Sequence, residues 1–447
     1  MMGMQRSRRR QPKARALAPP VSEALEVMVQ RIGDIGDGIA ETPTGRLYIP
    51  FTAAGDRARV RPGRARGDGR AATLDELLSP GPERTVPPCP HFGRCGGCAL
   101  QHLTDEAYVA WKIGRLVHAL ARVGIEDHVT APPARTPPGS RRRATFAAAR
   151  PIAGRAAIAG FNIRESNDVV DLARCVVLDA RIVDLLPGLR DLLTVLLPVR
   201  GRAAVTVTLL DGGLDVVLTI PLEPDLRTRE RLAAFAASAD VARLSWRDSG
   251  ETTAETVVQR RPVGAVFGGV FVPLPPGAFM QASAEGERAL VDAVRDAVGP
   301  ARSVADLFAG AGTFSFPLAI AGARVRAVDA DEASLAALAT AARAHAPLAQ
   351  RIVHERRDLF ARPLVASELK GCDAVVFDPP RAGAAAQATE LARSSVRVIA
   401  AVSCNPATFA RDARILADGG YTLERVLPVD QFLWSPHLEL VATFRRL

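Results

Sequence analysis

The chain has 447 residues, enough for about three domains with sizeable cores. Its 57 Lys and Arg against 48 Asp and Glu give a net charge of +9, which suits a polyanionic partner. No apolar run reaches the ~18 residues needed to cross a bilayer, and no apolar segment backs the basic start, so a membrane or secreted protein is not expected and the cytoplasm is.

In chain order, residues 1–20 carry Arg6, Arg8, Arg9, Arg10, Lys13 and Arg15 before the first acid, Glu23, and predict a flexible, basic arm. Residues 21–80 read as short strands punctuated by glycines, the pattern of a small β-barrel. Within it "DRARVRP" sets Arg57, Arg59 and Arg61 at period two, which puts three cations on one sheet face and makes that face a candidate for phosphate.

The stretch "CPHFGRCGGC" places Cys89, Cys95 and Cys98 at the spacing C-x5-C-x2-C. Structural zinc and cubane iron-sulfur clusters both take four soft donors, so a fourth ligand elsewhere is implied, and spacing alone leaves both groups open. "DEAYVAWKIGRLVHALARVGI" then has helical periodicity with Gly124 as its stop, within a segment, 102–130, that is a candidate to pack on the last domain. From about 140 to 275 the pattern is strand-rich, and "AAVTVTLLDGGLDVVLTI" predicts a hairpin at Asp211-Gly212-Gly213.

From about 283 short apolar runs alternate with Ala-rich helical segments, the pattern of a doubly wound α/β sheet, closed by an antiparallel pair at the sheet edge. "DLFAGAGTFSFPLA" ends a strand on Asp306 and turns through Gly310 and Gly312, where backbone can approach a nucleotide-like ligand. With a serine in place of the third fingerprint glycine, the turn suits S-adenosylmethionine better than a dinucleotide. Asp329, Asp358 and Asp378 follow the next strands toward one crevice. Cys404, in "SCNP" just before a helix, is a candidate nucleophile whose thiol the helix N-terminus is expected to acidify.

Over nearly its full length the chain resembles the S-adenosylmethionine-dependent RNA uracil-5 methyltransferases, in the iron-sulfur branch acting on bacterial 23S ribosomal RNA. The resemblance is carried by "RIGDIGDGIA" and "YIPFTAAGD", "CPHFGRCGGCALQHL", "FMQAS", "SCNP" and "DQFLWSPHLELVATF". It implies a Rossmann-like methyltransferase domain over 281–447, an OB-like, TRAM-type RNA-binding domain over 21–80, and a strand-rich central domain over 81–280 bearing a [4Fe-4S] cluster. Position by position it implies Cys404 as nucleophile and Glu439 as general base. Gln281, Phe308, Thr313, Asp329, Asp358 and Asp378 would line the S-adenosylmethionine site, and Cys89, Cys95, Cys98 and Cys175 would hold the cluster. Thr313 and Asp329 depart from the asparagine and glutamate usual in the family.

The implied reaction is transfer of methyl to C5 of a uridine, through a covalent Cys404–C6 adduct, by a monomeric enzyme. Transfer-RNA methylation is the alternative substrate, and a non-catalytic RNA-binding protein is the alternative of another class. Cytosine-5 transfer is disfavoured because "DPPRAG" lacks a cysteine.

Overall fold

The computed structural model describes residues 23–221 and 223–446, which divide into two compact units, before and after the Arg84–Thr85 bond. The basic arm predicted over 1–20 lies outside the described residues. Among the described residues no helix is long and apolar enough to cross a membrane.

The first unit is a six-stranded sheet around a small core that includes Val29, Leu47, Ile49, Ala58 and Val60. Its long hairpin pairs Arg57–Arg66 with Gly69–Ser79. Asp56, fully buried, accepts from the N–H groups of Ala53 and Gly81 and from Arg84, which ties the end of this unit to its core. The expected cationic face is only partly available. Arg59 is paired with Glu26 and Glu76, which the neighbouring strands place directly across from it, and Arg61 with Asp75, which lies at a register shift of the hairpin. Exposed pairs of this kind are worth about 0–1 kcal/mol and exchange readily.

The second unit holds two large sheets. A seven-stranded one runs from Val169–Asp171 through Arg143–Ala149 and Arg202–Leu210 to Glu255–Gln259. The predicted hairpin is present, Arg202–Leu210 against Gly213–Thr219 with Leu210 opposite Gly213. The strand-rich reading missed the helices Leu186–Leu196 and Leu226–Ser238. The second of these is a crossover that brings Val241–Arg247 parallel to Gly213–Thr219.

The other sheet has the order Ile352–Arg356, Arg324–Asp329, Ser303–Leu307, Ala374–Phe377, Val398–Ser403, Glu439–Arg445, Thr422–Asp430. The first five strands are parallel and the last two antiparallel. Alternate residues feed two cores: Val376, Ala400, Val402 and Val441 face the helices Ala284–Val298 and Glu332–Arg343. Val375, Phe377, Ala401 and Ala442 face Asp105–Ala121, Ala385–Arg393 and Pro406–Asp418. This is period-two burial of a sheet covered on both faces. The antiparallel pair is not the edge that its sequence suggests, since Val129–Thr130 and Ala134–Arg135 add to Thr422–Asp430 as short parallel strands.

Candidate active site

Five parallel strands end along one edge of the sheet, and the order reverses beside Ser303–Leu307, where open α/β sheets bind ligands. After that strand Phe308 and Gly310 both adopt the left-handed region, with φ of 62° and 54°. Any residue but glycine is strained there, and a Cβ on Gly310 would meet no other atom within 4 Å, so the turn borders open space. Thr313 lies in the same turn.

Asp329 Oδ2 accepts from the Gly310 N–H at 2.8 Å and its Oδ1 from the Asp331 N–H at 2.8 Å, so this carboxylate braces the turn while keeping lone pairs for a ligand. Asp358 is engaged locally, accepting from Phe360 N–H at 2.9 Å and Ala361 N–H. Phe360 in turn packs on Phe308 with ring centroids 5.5 Å apart.

Asp306 is fully buried, with Ser315 donating to Oδ2 at 2.6 Å and Oδ1 left without a partner. Burial pushes its carboxyl up to about 7.

Ser403 sits opposite Leu440 in the antiparallel ladder, so Cys404 and Glu439 leave the two strands side by side at the same edge. Asp378, which follows Ala374–Phe377, and Arg381 complete the group. Burial pushes Glu439 well above the usual carboxylate range, Asp378 adding to the rise and Gln431 and Arg381 opposing it; Asp378 is raised by burial as well. Glu439 Oε2 is buried with no hydrogen-bond partner.

Burial also pushes the Cys404 thiol up to about 11, with Glu439 and Asp378 adding and Arg381 opposing. The expected acidification is therefore reversed in the free protein: two neighbouring carboxyls and burial outweigh the helix N-terminus, which Asn405 caps by accepting from the Ala407 N–H.

Gln281 is buried, with Nε2 3.5 Å from Asp378 Oδ2. Arg381 and His437 are two residues that strand-end reasoning left out of the predicted site. Arg381 Nη2 donates to His437 Nε2 at 2.8 Å, and burial with the nearby cations pushes His437 down to about 4, which keeps it a neutral acceptor.

Cys89, Cys95, Cys98 and Cys175 come together around a cavity of about 550 Å³ that extends to Leu433, Ser435, Pro436 and His437, and Arg141, Arg143 and Arg174 also line it. The cysteine loop is fixed by a Gly96 N–H bond to Asn162 O at 2.9 Å and by Gln101, which accepts from the Cys89 N–H at 3.1 Å. Burial raises the Cys98 thiol to about 12, and Cys95 and Cys175 also rise. Among the described residues no three or more His, Cys, Asp or Glu side chains, the four predicted cluster cysteines included, form a group that could hold a metal ion.

The sequence profile described as tRNA (Uracil-5-)-methyltransferase matches residues 271–446. An uncharacterized RNA methyltransferase of Brucella suis is 44% identical over 95% of this chain and 99% of its own. The 23S rRNA (uracil(1939)-C(5))-methyltransferase RlmD of Pseudomonas putida is 33% identical over 95% of this chain and 94% of its own. The crystal structure of the Pyrococcus abyssi tRNA (uracil-54, C5)-methyltransferase in complex with S-adenosyl-L-homocysteine superposes with a TM-score of 0.71. It is 23% identical and covers 94% of this chain and 99% of that one, a likeness of fold.

Proposed function

Since the chain belongs to the RNA uracil-5 methyltransferases and takes methyl from S-adenosylmethionine, we propose that it methylates C5 of a uridine in 23S ribosomal RNA through a covalent bond from Cys404 to C6 of the base. The observation that carries this reading is the emergence of Cys404 and Glu439 side by side, from strands joined at Ser403 and Leu440, next to Asp378 and Gln281.

Cys404 enters as thiolate, its proton having passed to solvent, and its electron pair forms the bond to C6 while the ring's electrons move to an enolate. Bound S-adenosylmethionine supplies an electrophilic methyl group. C5 takes that methyl as the bond from carbon to the cofactor's sulfur breaks. Glu439 then accepts the C5 proton, the enolate re-forms, and the C6–S bond breaks with its electron pair returning to Cys404.

The high thiol pKa of the free protein fits a nucleophile that becomes a thiolate only once substrate and a cationic cofactor have entered between the carboxyls. Gln281, Phe308, Thr313, Asp329, Asp358 and Asp378 are the cofactor-lining set we propose. Open space beside Gly310 and the orphaned Asp306 Oδ1 suit a polar ligand there.

The four cysteines also suit a [4Fe-4S] cluster. The donor set is wholly soft, as such a cluster requires, and the four thiols line one cavity. Arg141 and Arg143 stand where they would offset its charge. The cluster has no part in the steps above.

On this reading 21–80 is an OB-like, TRAM-type RNA-binding domain, to which the six-stranded sheet of the first unit belongs, and 81–280 and 281–447 are the cluster-bearing and catalytic parts. A monomer working in the cytoplasm goes with it.

Mapping 5-methyluridine in the RNA of a deletion strain tests the substrate. Loss of one or more sites from 23S ribosomal RNA is expected, whereas loss confined to transfer RNA would assign the alternative.

A further inference from the structure

The sequence "SRRRATF" sets Arg141, Arg142 and Arg143 in a row, and the middle one serves a different place from its neighbours. Arg141 and Arg143 line the cysteine cavity, whereas Arg142 reaches the connector that carries Gln281 into the crevice. Its backbone N–H donates to Ala282 O at 2.8 Å, and its Nε donates to Gln281 O at 3.0 Å. Its Nη2 pairs with Glu287, in the first turn of Ala284–Val298, and the two side chains are only 14% and 13% exposed. One arginine thus fastens two consecutive peptide groups, and the helix that follows them, to the start of Arg143–Ala149.

The same connector is gripped upstream by a second buried pair. Arg243 and Asp215 lie 2.7 Å apart in the seven-stranded sheet; Arg243 Nη1 donates to Leu274 O at 2.6 Å, and Asp215 Oδ2 accepts from the Gly277 N–H at 3.1 Å. Downstream, the side chain of Gln281 is set by Gln431. Gln431 Oε1 accepts from the Ala282 N–H at 2.9 Å, and because a backbone amide can only donate, nitrogen is the end of Gln431 that donates to Gln281 Oε1 at 2.7 Å. Gln281 Nε2, a donor, is left facing Asp378 Oδ2, 3.5 Å away.

We propose that Arg142 is a positioning residue for S-adenosylmethionine binding, fixing the Gln281–Ala282 peptides so that the Gln281 amide donor stands beside Asp378 when the cofactor enters. The proposal rests on Gln281 lining the cofactor site. Arginine suits the task because one rigid plane aims donors both at a carbonyl and at a carboxylate, a fork that an ammonium lacks. A buried ion pair adds little net stability over apolar packing, so what the pair with Glu287 secures is the place of the connector.

Calorimetric binding of S-adenosyl-L-homocysteine to the free protein tests this without RNA. The variant is Arg142→Met with Glu287→Gln, which removes the donors together with the carboxylate that would otherwise stay buried and unpaired. Expected are a melting temperature close to that of wild type and a Kd raised about tenfold or more. In turnover on whichever RNA the wild-type protein methylates, the KM for S-adenosylmethionine should rise in proportion, with kcat within about threefold. Glu287→Gln alone leaves Arg142 on the Gln281 carbonyl and should bind within about twofold of wild type.

Wild-type Kd in the double variant overturns the proposal, as does a lowered kcat with KM unchanged. Equal weakening by Glu287→Gln alone overturns it too, since the effect would then lie in the helix. Should the double variant fail to fold, Arg142→Lys decides: it keeps a cation for Glu287 without the fork and should raise Kd severalfold, whereas a wild-type Kd sinks the proposal. Gln281→Ala is run alongside. If it weakens binding while the Arg142 variants bind as wild type, the cofactor-site reading stands and this proposal falls; if Gln281→Ala binds as wild type, both fall.

Discussion

The backbone N–H of Ala99 donates to the carbonyl of Trp434 at 2.8 Å, which joins the loop of three cysteines to the segment that leads into Glu439. Leu100 N–H donates to the same carbonyl at 3.1 Å, and Trp434 itself is held with φ of 55°. From the other side Tyr108 Oη accepts from the Trp434 N–H at 2.9 Å, and Lys112 donates to Phe432 O at 3.0 Å. The cysteine loop and the helix Asp105–Ala121 therefore grip the connection between the two antiparallel strands.

A first prediction comes from that grip. Anaerobically purified protein should be brown and hold about four iron and four sulfide per chain, and Cys175→Ala should lose them although Cys175 lies far from the other cysteines in sequence. Thermal melting of the variant should fall by several degrees, because the 89–98 loop loses its centre and with it the anchor for Trp434. Full iron content in Cys175→Ala would remove this residue from the site.

Lys112 and Asp430 form a buried ion pair, with side chains only 3% and 4% exposed, and burial pushes Lys112 down to about 8. Lys112→Met should cost about 3–5 kcal/mol in urea unfolding, because Asp430 stays buried with Tyr108 as its remaining side-chain donor. Adding Asp430→Asn should restore most of the loss. Equal stability of Lys112→Met and wild type would show that the pair contributes nothing net.

Asp306 predicts a pH dependence of stability. Its folded pKa of about 7 lies above the ordinary 3.8, so its favourable contribution is complete below about pH 4 and disappears as pH rises through 7. Asp306→Asn keeps an acceptor for Ser315 and removes the buried charge, so it should melt higher than wild type at pH 8.5 and by a smaller margin at pH 5.5. A margin that does not change with pH would mean that the carboxyl is already ionised in both conditions.

The five parallel strands were legible because each is a short apolar run that ends in a polar turn, and a sheet covered on both faces needs that pattern. Glu439 and Gln431 were harder to place. They flank a connection between antiparallel strands; only the register, Ser403 opposite Leu440, brings Glu439 beside Cys404, and only hydrogen bonds to Ala282 and Gln281 place Gln431. The thiol of Cys404 was misread for a related reason. The helix start at Pro406 is local and visible in the sequence, whereas the two carboxyls that oppose it arrive from other strands. The helix Leu226–Ser238 escaped notice because its polar first half, "LRTRER", breaks the apolar period, and its packing on Val241–Arg247 supplies what the sequence pattern lacks.

Cys404→Ala should abolish methyl transfer and leave binding of S-adenosyl-L-homocysteine within about twofold in calorimetry, since the thiol acts on the base and not on the cofactor. Turnover within about tenfold of wild type would reject covalent catalysis, because a nucleophile that opens the reaction cannot be dispensable.

Glu439→Gln gives the sharpest outcome. The amide keeps the shape of the side chain, but it cannot take a proton. Attack by Cys404 and methyl transfer both precede loss of the C5 proton, so the variant should complete one methylation and stop. It should hold RNA through the C6–S bond, with the labelled methyl in a species that survives denaturing electrophoresis, while multiple turnover falls by about 10²-fold or more. Replacing a buried carboxyl that is pushed above the usual range should also raise thermal stability at alkaline pH, so loss of turnover cannot be ascribed to unfolding. The double variant Cys404→Ala with Glu439→Gln should form no adduct. If Glu439→Gln is inactive with neither adduct nor labelled RNA, Glu439 acts before methyl transfer, and the base must be sought at Asp378, the other raised carboxyl of the crevice.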